Sequence, residues 1–182
     1  MTYDGEFAAA LDLLERVPRP PGMRAVTGAS IGQLEALGDL LGYSVPESVR
    51  AWLGLCNGAV AGPGGLYGSE VEWDFLNIGF VLNLYPDWRG RKWLPIAGDG
   101  NGNHYVVDVS RTHLIVDGVF FVDVCDDPMG LAYIVASDLS RFLNFLLNRE
   151  LGIRQWPFDR DYVLGRDPIV GSVSPLSLLP WG

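Results

Sequence analysis

A chain of 182 residues with 48% hydrophobic side chains, six Trp, seven Tyr and eight Phe can bury one sizeable core, which excludes intrinsic disorder. Its net charge of −9 is concentrated centrally: residues 67–138 carry eleven acidic and four basic side chains, whereas residues 139–182 carry four and five. That balance disfavours nucleic acid and anionic membranes, which select cationic footprints, and favours a basic protein partner; acidity serving solubility alone is the alternative.

The apolar run "FLNIGFVLNLY" falls short of the roughly 18 residues a membrane span needs, and "MTYDGEFAAALDLLERV" opens acidic rather than as a signal peptide. Cys56 and Cys125 are far apart and form no C-x-x-C pair, so both are expected as buried free thiols and the expected compartment is the cytoplasm.

In chain order, residues 4–16 place Phe7, Ala10, Leu11 and Leu14 on one helical face, and "PRPP" then stops the helix. Ser30 and Gln33 form a capping-box signature for a second helix, with Ile31, Leu34, Leu37 and Leu41 inward and Gly42 as its stop. Pro46 opens a third helix that buries Val49, Trp52, Leu53 and Cys56 and ends at Asn57–Gly58. The stretch 62–68 is a glycine-rich loop. "WDFLNIGFVLNLYPDW" is ambiguous, although Ile78, Val81, Leu82 and Tyr85 fit a helical face.

From residue 93 onward "WLPIA", "HYVVDV", "HLIV", "VFFVDV" and "LAYIV" read as strands separated by turn residues. A last helix over 137–150, capped by Ser137, turns Leu139, Phe142, Leu143 and Leu146 inward, and a Pro- and Ser-rich tail follows. Helices first, strands in the middle and a closing helix predict a single-domain α+β fold with a central, mostly antiparallel sheet. The expected boundaries are an N-terminal helix and connection over 1–22, the α+β domain over 23–150, and an extension over 151–182 packed on it.

Three stretches invite a chemical reading. Asp99, Asn101 and Asn103 match the opening ligand positions of a calcium loop. Position six is His104 where Gly is needed, however, and position twelve is Ser110 where a bidentate Glu belongs. A tight turn using Gly100 and Gly102 explains the same residues. "GASIG" (28–32) has the G-x-S-x-G form of a nucleophile elbow, but no run of core strands precedes it, and Ser30 serves better as a helix cap. His104 and His113 lack metal-ligand spacing and are expected as hydrogen-bonded surface residues. No catalytic, cofactor or metal residues are therefore assigned, and the chain is expected to be a binding protein rather than an enzyme.

Taken together, "IGQLEALGDLLGYSVPESVRAWLGLCNG", "GGLYG" (64–68), "LPIAGDGNG" (94–102) with Asp108, "VFFVD" (119–123) and "VASDLSRFL" (135–143) resemble the SUKH superfamily over about residues 27–148. That superfamily includes fungal Smi/Knr regulators of cell-wall synthesis and many bacterial immunity proteins. The resemblance implies a non-catalytic α+β domain that binds protein, in bacteria typically a toxin, which it neutralises. It also implies structural roles for Asn57, Gly58, Gly65, Gly68, Asp99, Gly100, Gly102 and Asp108. Members often carry His after the strand-end Asp, where this chain has Cys125 two residues beyond Asp123.

The expected partner surface comprises Glu70, Glu72, Trp73, Asp74 and Asp87, with Trp73 and Phe75 readable either as exposed anchors or as core. The function expected is an immunity protein that holds a basic toxin domain. A regulatory or scaffolding domain with a non-toxin partner is the alternative. Oligomeric state stays open.

Overall fold

The computed structural model describes residues 5–21, 26–110, 115, 117–173 and 175–181. Its helices are α1 (Ala8–Arg16), α2 (Ile31–Leu41), α3 (Glu47–Leu55), α4 (Ile78–Leu84), α5 (Asp87–Arg91), α6 (Leu139–Glu150) and α7 (Arg160–Leu164). Its strands are β1 (Trp93–Gly98), β2 (His104–Asp108), β3 (Val119–Val122) and β4 (Tyr133–Ala136). They form one antiparallel meander in the order β1-β2-β3-β4, the central sheet that the sequence predicts.

Adjacent residues of a strand point to opposite faces, and β2 shows what covers each. His104 meets Tyr85 and Trp88 from the α4–α5 side, whereas Tyr105 meets Phe142 of α6 and Trp156. The sheet is thus a filling between two helical layers, and β1, β2 and β3 are buried throughout. The outer edge of β1 is closed by the glycine-rich segment, where Tyr67 N–H donates to Ile96 O at 2.8 Å and Gly98 N–H to Gly65 O at 3.1 Å. An edge paired in this way offers no open ladder to another chain.

The helices follow from their caps. Gln33 N–H donates to Ser30 Oγ at 3.2 Å, Ser30 N–H donates to Gln33 Oε1 at 2.9 Å, and Gly42 ends α2 at φ 71°. Leu34, Leu37 and Leu41 are buried as expected, but Ile31 is 75% exposed. Ile31 and Gly32 both lie in water, so the first turn of α2 overhangs the core instead of packing on it. In α3, Val49, Trp52 and Leu53 face inward, and Trp52 meets Phe7 with ring centroids 5.5 Å apart, joining α1 to the core. Cys56 is fully buried at the end of α3, where burial pushes its thiol up to about 12; Cys125, against expectation, is exposed, because it follows the end of β3 in a turn and not within the sheet; both are free.

The ambiguous stretch resolves into a 3-10 turn (Asp74–Leu76), α4 capped by Asn77, and α5. Of "HLIV", only Ile115 falls among the described residues; it is buried outside any strand, and His113 lies outside them. The cap of α6 is Asp138, not Ser137: Arg141 N–H donates to Asp138 Oδ1 at 2.8 Å. Ser137 ends the strand instead, its N–H donating at 2.7 Å to the buried carboxylate of Asp167. Asp167 lies at the end of the segment containing α7, and Trp156, Val163, Val170 and Val173 from this segment join the one hydrophobic core.

Candidate partner-binding surface

The surface is built on the end of α3. Gly58 adopts φ 82°, and the chain returns so closely that a Cβ on Gly68 would lie 2.6 Å from the Asn57 carbonyl carbon. The Asn57 side chain then acts as a peptide group. Its Oδ1 accepts Ser69 N–H at 2.7 Å, and its Nδ2 donates to Ser69 O at 2.9 Å. Gln33 adds Nε2 donations to the carbonyls of Ser69 (3.2 Å) and Glu70 (3.3 Å), and Ser69 Oγ donates to Gln33 O at 2.9 Å. Gly65, at φ 69°, precedes the Leu66 bridge to Ala59, and Gly68 bridges to Asn77.

Residues 69–76 therefore leave and re-enter the body between clamped ends, with Ser69 and Leu76 buried beneath. What they present outward is Glu70, Glu72, Trp73, Asp74 and Phe75, all exposed. Trp73 and Phe75 are half exposed, at 50% and 49%, and touch edge to face with centroids 5.9 Å apart. Of the two readings open for these rings, the surface position holds. A cleft opens on each side of the segment. One lies between α2 and α4 and includes Glu70 and Asp74. The other runs past Asn57, Gly58, Glu72 and Trp73 toward Arg19. Asp87 is exposed on α5 and lines neither cleft.

The other singled-out residues serve the scaffold. Asp99 Oδ1 accepts from Asn101 N–H (2.7 Å) and Asn103 N–H (3.0 Å), and Asn103 Nδ2 donates to Asp99 Oδ2 at 2.9 Å. Asn103 Oδ1 in turn accepts Val124 N–H at 3.1 Å. The Asp99 carboxylate and the Asn103 amide are thus engaged in protein hydrogen bonds, while Gly100 and Gly102 take φ 85° and 99°. Asp108 is buried at the end of β2, where its Oδ1 accepts Ser110 N–H at 2.9 Å. Among the described residues no group of three His, Cys, Asp or Glu could hold a metal.

His104 departs from expectation. It is buried, not on the surface, with Nδ1 hydrogen-bonded to Tyr67 Oη at 2.8 Å and the rings of Tyr85 and Trp88 edge-on. Burial pushes its pKa down to about 4, against an opposing pull from Asp99, and burial raises the Tyr67 phenol. Both stay neutral near pH 7, which suits a site walled by aromatic rings. The sequence reading also missed Leu40 and Phe80, both exposed at the α2–α4 cleft. The signal was there: "IGFVLNL" carries five large apolar side chains in seven residues, more than one buried face of so short a helix takes up.

The arrangement is an α+β body that holds an acidic and aromatic segment outward on a clamped backbone. Residues 28–144 match the SMI1 / KNR4 family (SUKH-1), and the chain belongs to that family. No curated protein matches the chain. Among the described residues no helix is long and apolar enough to cross a membrane.

Proposed function

We infer that the chain is an immunity-type binding protein that neutralises a cognate toxin by holding a basic face of it against residues 69–76. The observation that carries this reading is the pairing of half-exposed Trp73 and Phe75 with Glu70, Glu72 and Asp74 on a backbone clamped by Asn57 and Gln33. Aromatic side chains of this kind supply affinity once desolvated, and surrounding charges speed and orient encounter. The family match is equally compatible with a second reading, a regulatory domain that holds a non-toxin partner.

The test is capture from host lysate with the wild-type protein and the Glu70→Ala/Glu72→Ala/Asp74→Ala variant in parallel. A basic protein held by the first and released by the second supports the reading. Activity of the captured protein, toxic or not, then separates the two occupants. Equal retention by both baits places the interface elsewhere.

A further inference from the structure

The cleft between α2 and α4 mixes polar groups with apolar side chains that the fold leaves partly exposed. Leu37 is its floor, and Leu40 and Phe80 stand in its walls at 36% and 42% exposure. Leu84, 55% exposed, extends the Phe80 stripe by one turn of α4, while Ile78, Val81 and Leu82 on the other side of the same helix are buried. The two helices already touch: a Cβ on Gly79 would sit 3.3 Å from Leu40 Cδ2. The cleft is thus a shallow furrow between packed helices, not a gap that a small hinge would close.

Its charge is one-sided. Residues 31–41 and 69–84 contain Glu35, Asp39, Glu70, Glu72 and Asp74 and no Lys or Arg. Glu70 and Asp74 line the cleft directly. Arg89 of α5 lies outside the lining and donates from Nη2 to Asn83 Oδ1, a lining side chain, at 2.8 Å and to Leu82 O at 3.3 Å.

We propose that this furrow receives the apolar face of a basic amphipathic helix from the partner protein, which places one contact surface across both the cleft and the neighbouring acidic segment. The proposal rests on the partner-binding reading above and names the chemistry of what is bound. A helix fits better than a strand because helix walls have no free backbone ladder to extend, and the nearby edge of β1 is already paired with residues 65–67. The spacing of Phe80 and Leu84 suits ridges of a third helix lying along the furrow. Charge complementarity selects a partner helix with Lys or Arg flanking its apolar stripe.

The test uses a labelled synthetic helix of Leu and Lys in a three–four repeat, one matched peptide with Ser for Leu, and another with Glu for Lys. Fluorescence polarisation at low salt reads binding to the full chain. The Leu–Lys peptide is expected to bind and both matched peptides to fail. Phe80→Ser and Leu40→Ser should each weaken the Leu–Lys peptide about tenfold. Phe158→Ser, at an exposed ring beside a different cleft, should leave it unchanged. In the wild type, NMR shifts on titration should fall on Ala36, Leu40 and Phe80, a readout that needs no variant to fold.

Unchanged binding by Phe80→Ser and Leu40→Ser, or equal weakening by Phe158→Ser, overturns the proposal. If the Glu70→Ala/Glu72→Ala/Asp74→Ala variant weakens binding while Phe80→Ser does not, the acidic segment stands and the furrow falls. Weakening by Phe80→Ser alone supports the furrow and removes the role of the segment.

Discussion

His104 should make this protein acid-sensitive well above the range in which carboxylates titrate. In the unfolded chain its imidazole takes a proton near pH 6.5, and in the fold only near pH 4. Between those values the unfolded state binds more protons, so stability falls as pH falls; above about 6.5 the contribution is fully present. Linkage between the two values gives a loss of about 2 kcal/mol on going from pH 7.5 to pH 5, a sizeable share of a marginal folding free energy. The physical source is the cage: protonation would place a cation among Tyr67, Tyr85 and Trp88 with too little water to solvate it. The assay is urea unfolding followed by tryptophan fluorescence at pH 7.5, 6.5, 5.5 and 5 for the wild type and for His104→Gln, which keeps a polar partner for Tyr67 but does not titrate. The variant should be weaker at pH 7.5 and flatter with pH, so that the two curves converge toward pH 5. Parallel curves would refute the reasoning and assign the acid sensitivity to other groups.

Asn57→Ala removes both hydrogen bonds to Ser69 and leaves its buried N–H unpaired, whereas Ser69 O keeps the Gln33 amide. The expected cost is about 2–3 kcal/mol in a thermal or chemical melt, together with faster amide exchange over residues 69–76, and slow exchange there in the variant would show that the clamp lies elsewhere. Gly102→Val should cost about 1–3 kcal/mol from backbone conformation alone, because φ is 99° and no atom stands within 4 Å of the added Cβ; a melting temperature equal to wild type would remove strain from the account of this turn.

What could be read from sequence was what depends on local pattern. The spacing of Leu34, Leu37 and Leu41 and the Ser30–Gln33 capping box are complete within a dozen residues, and the fold reproduces them. Strand alternation likewise placed "WLPIA", "HYVVDV" and "VFFVDV" in one antiparallel sheet. The cap of α6 was a different matter. Ser137 and Asp138 are both good caps by type, and the choice is made by Asp167, thirty residues on, which takes the Ser137 N–H. Alternation also could not report that both faces of β2 are covered, since it records which way His104 points but not that Trp88 and Tyr85 lie there. Ranking by hydrophobicity made the core a natural place for Trp73 and Phe75, and their exposure follows from a tertiary clamp that no window of sequence contains.

The clamp also separates the residues that carry the family resemblance from those proposed above to meet a partner. Asn57, Gly58 and Gly68 face the body, where a Cβ on Gly68 has no room and the Asn57 amide is matched to both polar groups of Ser69. Glu72, Trp73, Asp74 and Phe75 face water, as does the side chain of Glu70, whose own backbone is held at φ 49° with its carbonyl accepting from Gln33. A flexible loop that presented the same side chains would lose backbone entropy on binding, and part of the interaction energy would go to ordering it. Here the backbone is ordered on folding, so binding at the surface proposed above would carry no added cost for ordering the loop. If residues 70–75 form the partner surface proposed above, such a division would let one fold meet chemically different partners by substitution along their outer side, with the inner side held constant.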